Sequence, residues 1–118
     1  MGTFVKIVEN TISVNELSEM SLKMFERIVK AVVDVEREIL VVDASMHSDQ
    51  EEFLLENDSL QENLWGINLA PDKFGQEEFV VFDSMINMRP AWGNRSRGVE
   101  DPVIQKRIRQ IVNKRVRA

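Results

Sequence analysis

The chain has 118 residues, the length of one domain, and its 43% hydrophobic and 30% charged residues are typical of a globular protein rather than a disordered one. It contains no cysteine, which excludes disulfides, thiolate metal ligands and thiol redox chemistry. From this length we expect one domain over residues 1–118. We expect neither a signal peptide nor a membrane span, and therefore a cytoplasmic location.

The net charge of -5 hides an uneven distribution of charged residues. Residues 89–118 contain 9 basic and 2 acidic side chains, whereas residues 1–88 contain 18 acidic and 6 basic ones. A basic segment can attract a phosphate-bearing partner, or it can pair with the acidic remainder of its own domain. The second interpretation is favoured, because runs of surface charge often have no role in binding.

The first elements are a strand and a helix. Phe4 to Val8 is rich in β-branched residues, which predicts a short strand. Ser13-Val14-Asn15-Glu16 has the pattern of a capping box, which predicts that a helix starts at Val14. Apolar residues then recur at spacings of three and four and give this helix a core-facing stripe, formed by Leu17, Met20, Met24 and Ile28.

A hairpin and a short helix follow. Ala31 to Val35 and Ile39 to Asp43 are β-rich runs separated by three residues, which predicts a hairpin. A second capping-box pattern, Ser48 to Glu51, predicts a short helix over Asp49 to Glu56. A strand through Phe53 to Leu55 is the alternative.

Two further strands are predicted from alternating patterns. Asn63 to Leu69 is one of them, and Phe79 to Met88 is the other, continuing to Arg89. Ala70 to Gln76 connects them as a loop, because it contains a proline and a glycine. Pro90 ends the second strand, since proline lacks the amide that a sheet needs.

The last helix has the strongest boundary signal. Asp101 is a good N-cap residue and Pro102 suits the first helical position, so a helix is predicted from Pro102 to about Val116. Together these elements predict an α+β fold, in which a small, mainly antiparallel sheet is packed by an N-terminal and a C-terminal helix, with the short helix near residues 49–56.

Seven polar residues are candidates for an anion-binding site. Asp83, Asn87 and Arg89 would project from one face of the Phe79 to Met88 strand, and a neighbouring strand would add Asn68. The loop after Pro90 adds an amide and two guanidinium groups, which suit oxyanions: Asn94, Arg95 and Arg97. The alternatives are a solvated sheet face, and arginines that fasten the loop to carboxylates such as Asp83.

His47 is the single histidine and lies among acidic residues. Its spacing from them matches no established ligand motif, so neither a metal site nor a cofactor is predicted. A catalytic role for His47 is the minority interpretation. The sequence also lacks a Walker loop, a dinucleotide-binding glycine pattern and a nucleophile elbow, which lowers support for those enzyme classes.

Four stretches of the sequence are distinctive: residues 43–49, 61–69, 82–90 and 93–101. They resemble a family of short bacterial and archaeal proteins of unknown function, and the similarity spans most of the chain. The resemblance indicates kinship and implies no activity, substrate or site residue.

The leading functional hypothesis is a noncatalytic binding module for an anionic ligand, nucleic acid or a protein partner, acting through the segment Asp83 to Asp101. The terminal helix has enough basic residues for nonspecific contact with a polyanion: Lys106, Arg107, Arg109, Lys114, Arg115 and Arg117. A small metal-assisted phosphoester hydrolase is one alternative. A structural or protein-interaction module, such as a homodimer, is another, and no membrane partner is expected.

Overall fold

The computed structural model describes residues 5–23 and 27–118. Within these ranges the chain forms seven short strands and three α-helices, in the order β1 (Lys6–Val8), β2 (Ile12–Ser13), α1 (Val14–Ser21), β3 (Val29–Asp34), β4 (Ile39–Val42), α2 (His47–Glu56), β5 (Leu64–Leu69), β6 (Val80–Val81), α3 (Pro102–Arg115) and β7 (Val116–Arg117). The predicted α+β class is confirmed. None of the helices in the described ranges is long and apolar enough to cross a membrane.

The main sheet has five strands in the order β1-β4-β3-β5-β6, and each neighbouring pair is antiparallel. The longest pairing joins β3 to β5, from Val29 opposite Leu69 to Asp34 opposite Leu64. Strands β2 and β7 form a separate parallel pair. As a result, the end of the chain lies beside the start of α1.

The sheet is covered on both faces. Leu17 of α1 and Ile108 and Val112 of α3 pack with residues such as Ile67 on one face. Leu54 of α2 packs on the other face. Burying each such aliphatic side chain contributes about 1.5–3 kcal/mol, so these contacts hold the three helices on the sheet. The predicted covering by the N-terminal and C-terminal helices is confirmed, and α2 adds the second layer.

The β3–β4 hairpin forms as predicted, and the buried carboxylate of Asp34 holds its turn. Oδ1 of Asp34 accepts hydrogen bonds from the backbone amides of Glu36 and Arg37, both at 3.0 Å. Its Oδ2 accepts a hydrogen bond of 2.7 Å from the Ser59 hydroxyl. Because a buried polar group is costly unless it is hydrogen-bonded, these three donors fix the turn.

Two helices begin where their caps predict. The Ser13 hydroxyl accepts from the Glu16 amide at 3.1 Å, and Oδ1 of Asp101 accepts from the Val103 amide at 2.9 Å. The predicted stripe of α1 is too long, because the helix ends at Ser21. Ile28 directly precedes β3, and Met24 lies outside the described residues. Apolar spacing alone does not show where one element ends and the next begins.

The capping box predicted at Ser48 to Glu51 does not form, although the helix predicted there is confirmed. Helix α2 starts at His47, and its N-cap residue is Met46, whose side chain makes no capping hydrogen bond. Ser48 therefore lies inside the first turn. The alternative strand over Phe53 to Leu55 is also wrong, since these residues are helical.

The strand predicted over Phe79 to Met88 is wrong as well. Strand β6 contains only Val80 and Val81, and residues 85–87 form a 3₁₀ turn in which the Ser84 hydroxyl accepts a hydrogen bond from the Ile86 amide. Asp83, Asn87 and Arg89 therefore do not share one strand face. Alternation over ten residues favoured a strand, but serine caps and turns compete with regular strands through local side-chain hydrogen bonds.

Candidate functional site

Strand β6 pairs with only the last part of β5, and a side chain forms hydrogen bonds with the edge of β5 that β6 leaves open. Asn87 is fully buried, and its Oδ1 accepts from the Gly66 amide at 2.8 Å while its Nδ2 donates to the Gly66 carbonyl at 2.9 Å. The side-chain amide thus offers Gly66 the same donor and acceptor as a neighbouring strand would. Nδ2 also donates to the Arg97 carbonyl at 2.9 Å, so Asn87 joins the sheet to the next loop.

Arg89 continues the same edge. Its Nε donates to the Ile86 carbonyl at 3.0 Å, and its Nη2 donates to the Leu64 carbonyl. The guanidinium carbon lies 4.6 Å from the ring centre of Trp65 and 5.6 Å from that of Trp92. Burial lowers the pKa of Arg89 from its ordinary value, and a nearby carboxylate, Glu51, opposes that change. Arg89 holds this edge together.

The loop after residue 89 folds around Asn94. Its Nδ2 donates to the carbonyls of Asn87 and Gly98, both at 2.8 Å, and its Oδ1 accepts from the Glu100 amide at 2.9 Å. Its backbone forms a two-way bridge with Arg89. Asn94 is buried and is fully used in shaping the loop.

Glu100 closes the same loop from outside. Its Oε2 accepts from the amides of Ser96 at 2.7 Å and Arg95 at 2.8 Å. Hydrogen bonds from Ser96 and Arg95 lower the pKa of the Glu100 carboxyl. The Arg95 residue itself is exposed.

Arg97 points to a different surface. Its Nε forms an ion pair with Oδ1 of Asp83 at 2.6 Å. Arg97 also lines a cavity of about 180 Å³ together with two other basic residues, Lys30 of β3 and His47 of α2. The other lining residues are three hydroxyl residues and three apolar ones: Ser45, Ser48, Ser84, Met46, Met85 and Ile86. We call this cavity the basic pocket.

His47 is mostly buried at the first position of α2, with 8% of its surface exposed. Its Nε2 lies 2.7 Å from the Ile67 carbonyl. A carbonyl can only accept, so Nε2 is the protonated nitrogen. Burial lowers the pKa of His47 from its ordinary value, with Lys30 and Arg97 acting in the same direction. The hydrogen bond to Ile67 and the Asp83 carboxylate oppose this shift.

Asn68 supports the pocket from within the sheet. Its side chain is buried, and its Nδ2 donates to the Asp83 carbonyl at 3.2 Å. Lys30 lies opposite Asn68 in the pairing of β3 with β5. Asn68 therefore helps to position Asp83, which in turn holds Arg97.

A second cavity, of about 370 Å³, is lined partly by the same loop and has an acidic rim. Trp65, Arg89 and Trp92 line it together with three carboxylate residues, Glu62, Glu100 and Asp101. Three carboxylates against one buried guanidinium disfavour a bound anion.

The basic residues of α3 are largely used inside the domain. Lys114 and Arg107 pair with the Glu38 carboxylate at 2.9 and 3.2 Å, and these contacts lower the pKa of Glu38. Nε of Arg115 donates to the Glu38 carbonyl at 2.8 Å, and Arg109 donates to the Glu77 carbonyl at 3.0 Å. This arrangement favours the intramolecular interpretation of the charge asymmetry.

Comparison with protein families assigns the chain to one of them. A family model described as "Protein of unknown function (DUF5674)" matches residues 6–115. The chain belongs to the DUF5674 family. The predicted kinship with proteins of unknown function is confirmed, and no curated protein and no solved structure matches the chain significantly.

In this DUF5674 protein the predicted site residues separate into three groups. Asn87, Arg89 and Asn94 shape the sheet edge and its loop. Arg97 lines the basic pocket, and Asp83 and Asn68 support it. Arg95 is exposed and is not among the lining residues of the basic pocket.

Sequence reasoning missed Lys30 and Ser84 and did not connect His47 to the loop. Lys30 belongs to an ordinary strand, and no local pattern marks it. His47 stands out as the single histidine, but its neighbours in space come from β3, from Ile67 of β5 and from residues 84–97. In the described ranges, no three histidine or carboxylate side chains are grouped in a way that could hold a metal ion.

Proposed function

We propose that this DUF5674 protein is a noncatalytic binding module for a small anionic ligand, and that an oxyanion such as a phosphate group binds in the basic pocket. The proposal rests on one observation. Lys30, His47 and Arg97 come from three separate segments and line one cavity of about 180 Å³.

The charges and donors of the basic pocket suit an oxyanion. Lys30 and Arg97 bring two cationic side chains to the pocket, against the single carboxylate of Asp83 that pairs with Arg97. Asp83 contacts Nε of Arg97, while a guanidinium has further donors on its terminal nitrogens. Serine hydroxyls among the lining residues add donors of the kind that orient phosphate oxygens.

A small ligand fits these features better than nucleic acid does. Binding a nucleic acid strand needs a basic surface that follows several phosphates. Basic side chains of α3 would have to provide such a surface. They already form bonds with Glu38 and Glu77 of the same chain. The basic pocket is large enough for one charged group.

Anion binding and the protonation of His47 are linked. A bound anion favours the charged imidazolium, whereas burial favours the neutral ring and lowers the pKa of His47. The affinity for the anion therefore rises as the pH falls toward the pKa of His47. The same linkage means that the anion raises this pKa.

Calorimetric titration with inorganic phosphate at constant ionic strength tests the proposal. The native protein is expected to bind one phosphate saturably, and Lys30→Gln and Arg97→Gln each weaken binding about tenfold or more, the usual effect of losing a charged hydrogen bond. Arg95→Gln is the matched control, because Arg95 lies in the same loop but not in the pocket lining. Circular dichroism and urea unfolding show whether each variant folds.

Three results would contradict the proposal. The first is the absence of saturable binding of phosphate, with sulfate tested in parallel. The second is binding that Arg97→Gln leaves unchanged in a folded protein. The third is equal weakening by Arg95→Gln and Arg97→Gln, which would indicate general electrostatic attraction rather than a site.

A further inference from the structure

The basic pocket has an apolar rim directly beside its charged residues. Met46 immediately precedes His47, and Met85 immediately follows Ser84. Both methionines line the pocket, and 55% of Met46 and 63% of Met85 is exposed. Ile86 extends this apolar surface toward the core. Two large exposed apolar side chains thus border one small charged cavity.

The size of the cavity limits how much of a ligand can enter it. A volume of about 180 Å³ is well below the roughly 300–1,000 Å³ of pockets that enclose whole drug-sized ligands. One oxyanion fits inside together with a few more atoms. The remaining part of any larger ligand must therefore extend out of the pocket across its rim.

Methionine suits such a rim. Its side chain is unbranched, polarisable and adaptable, and it packs well against aromatic and aliphatic groups of varied shape. Covering exposed apolar surface is favourable in proportion to the area removed from water. A rim of lysine or glutamate would give no such gain to an apolar group.

We infer that the natural ligand is an organic phosphate ester, whose phosphate lies between Lys30 and Arg97 and whose apolar or aromatic group packs on Met46 and Met85. This inference rests on the proposed function. It assigns the ligand class by adding an apolar contact to the anionic one. Inorganic phosphate would use only half of the site.

Parallel titrations with inorganic phosphate, methyl phosphate and phenyl phosphate test the inference. Phenyl phosphate is expected to bind about tenfold more tightly than the other two, as apolar burial of modest area predicts. The double variant Met46→Gln and Met85→Gln should bind all three equally and keep the affinity for inorganic phosphate. Met88→Gln is the control, because Met88 is also exposed but does not line the pocket.

A second measurement does not depend on the variants. The methyl signals of Met46 and Met85 should shift in nuclear magnetic resonance spectra when phenyl phosphate is added, but much less with inorganic phosphate. The methyl signal of Met88 should stay in place with both.

The possible failures are distinguishable. Equal affinity of the native protein for all three phosphates would overturn the inference and leave anion binding intact. A preference for phenyl phosphate that survives in the double variant would also overturn it. If none of the three probes binds, the proposed function itself fails.

Discussion

The side-chain amide of Asn87 pairs with both backbone groups of Gly66, at 2.8 and 2.9 Å, as a neighbouring strand would. Strand β6 covers the edge of β5 only at Asn68 and Leu69. Asn87 therefore replaces a missing stretch of strand. The same amide holds the Arg97 carbonyl, so the sheet edge and the basic pocket depend on one buried side chain.

Asn87→Ala should destabilise the fold. It leaves the amide and the carbonyl of Gly66 buried without partners, and each unsatisfied group costs about 1–3 kcal/mol. We expect the free energy of unfolding in urea to fall by about 2–4 kcal/mol. Asn113→Ala, at an exposed position of α3, is the control and should change it by less than about 0.5 kcal/mol. A loss equal to that of the control would contradict the assigned role.

Gly66→Ala should be destabilising for steric reasons. An added Cβ would lie 2.5 Å from both Cβ and Oγ of Ser84. Overpacking of this kind typically costs about 1–3 kcal/mol. Gly98→Ala is the matched control, because its nearest contact would be an ordinary 3.5 Å.

A double-mutant cycle checks this explanation. Ser84→Gly removes the clashing atoms, so it should recover part of the stability lost in Gly66→Ala. Strictly additive losses would show that the Ser84 contact is not the cause.

His47 should make stability depend on pH above the range where carboxylates titrate. Burial lowers the pKa of His47 below its ordinary value of 6.5 in the folded chain. Between the folded and unfolded pKa values, the unfolded chain binds more protons, so stability is highest above pH 6.5 and falls as the pH drops toward the folded value.

Urea unfolding at several pH values between about 7.5 and 5.5 measures this effect. His47→Gln should flatten the pH dependence in this window, because glutamine does not titrate but can still donate a hydrogen bond. Glu38 and Glu100 do not contribute to the pH dependence in this window, since their pKa values are lowered from an ordinary value of 4.5. An unchanged slope in the variant would contradict the buried, neutral state of His47.

Asp101→Ala should weaken the start of α3. Its carboxylate accepts from the Val103 amide at 2.9 Å, and losing such a cap costs about 0.5–2 kcal/mol. Asp101→Ser should retain most of the stability, because serine is also a good N-cap residue. Equal unfolding free energies for the alanine and serine variants would show that the cap does not stabilise the helix.

The parts of the fold that follow from local chemistry could be predicted from the sequence. Ser13 and Asp101 predict where α1 and α3 begin, because an N-cap needs only a side-chain acceptor and two or three following amides. The β3–β4 hairpin followed from two β-rich runs. In each case the determining residues are neighbours along the chain.

The site could not be predicted in the same way, because its residues meet only in space. Asn87 looks like one member of an alternating strand, and nothing local reveals that it pairs with Gly66. Lys30, His47 and Arg97 converge because β3, the start of α2 and the loop after β6 meet on one side of the sheet. Three of the predicted candidates, Arg97, Asp83 and Asn68, do lie at or beside the pocket.

The most direct test of anion binding uses the single histidine of the chain as a reporter. The ring signals of His47 are followed by nuclear magnetic resonance during titration with inorganic phosphate, with sodium chloride at equal ionic strength as the control. Phosphate is expected to shift these signals saturably and to raise the pKa of His47, and Arg97→Gln should weaken both effects. Ring signals and a His47 pKa that phosphate and chloride affect equally would contradict binding in the basic pocket.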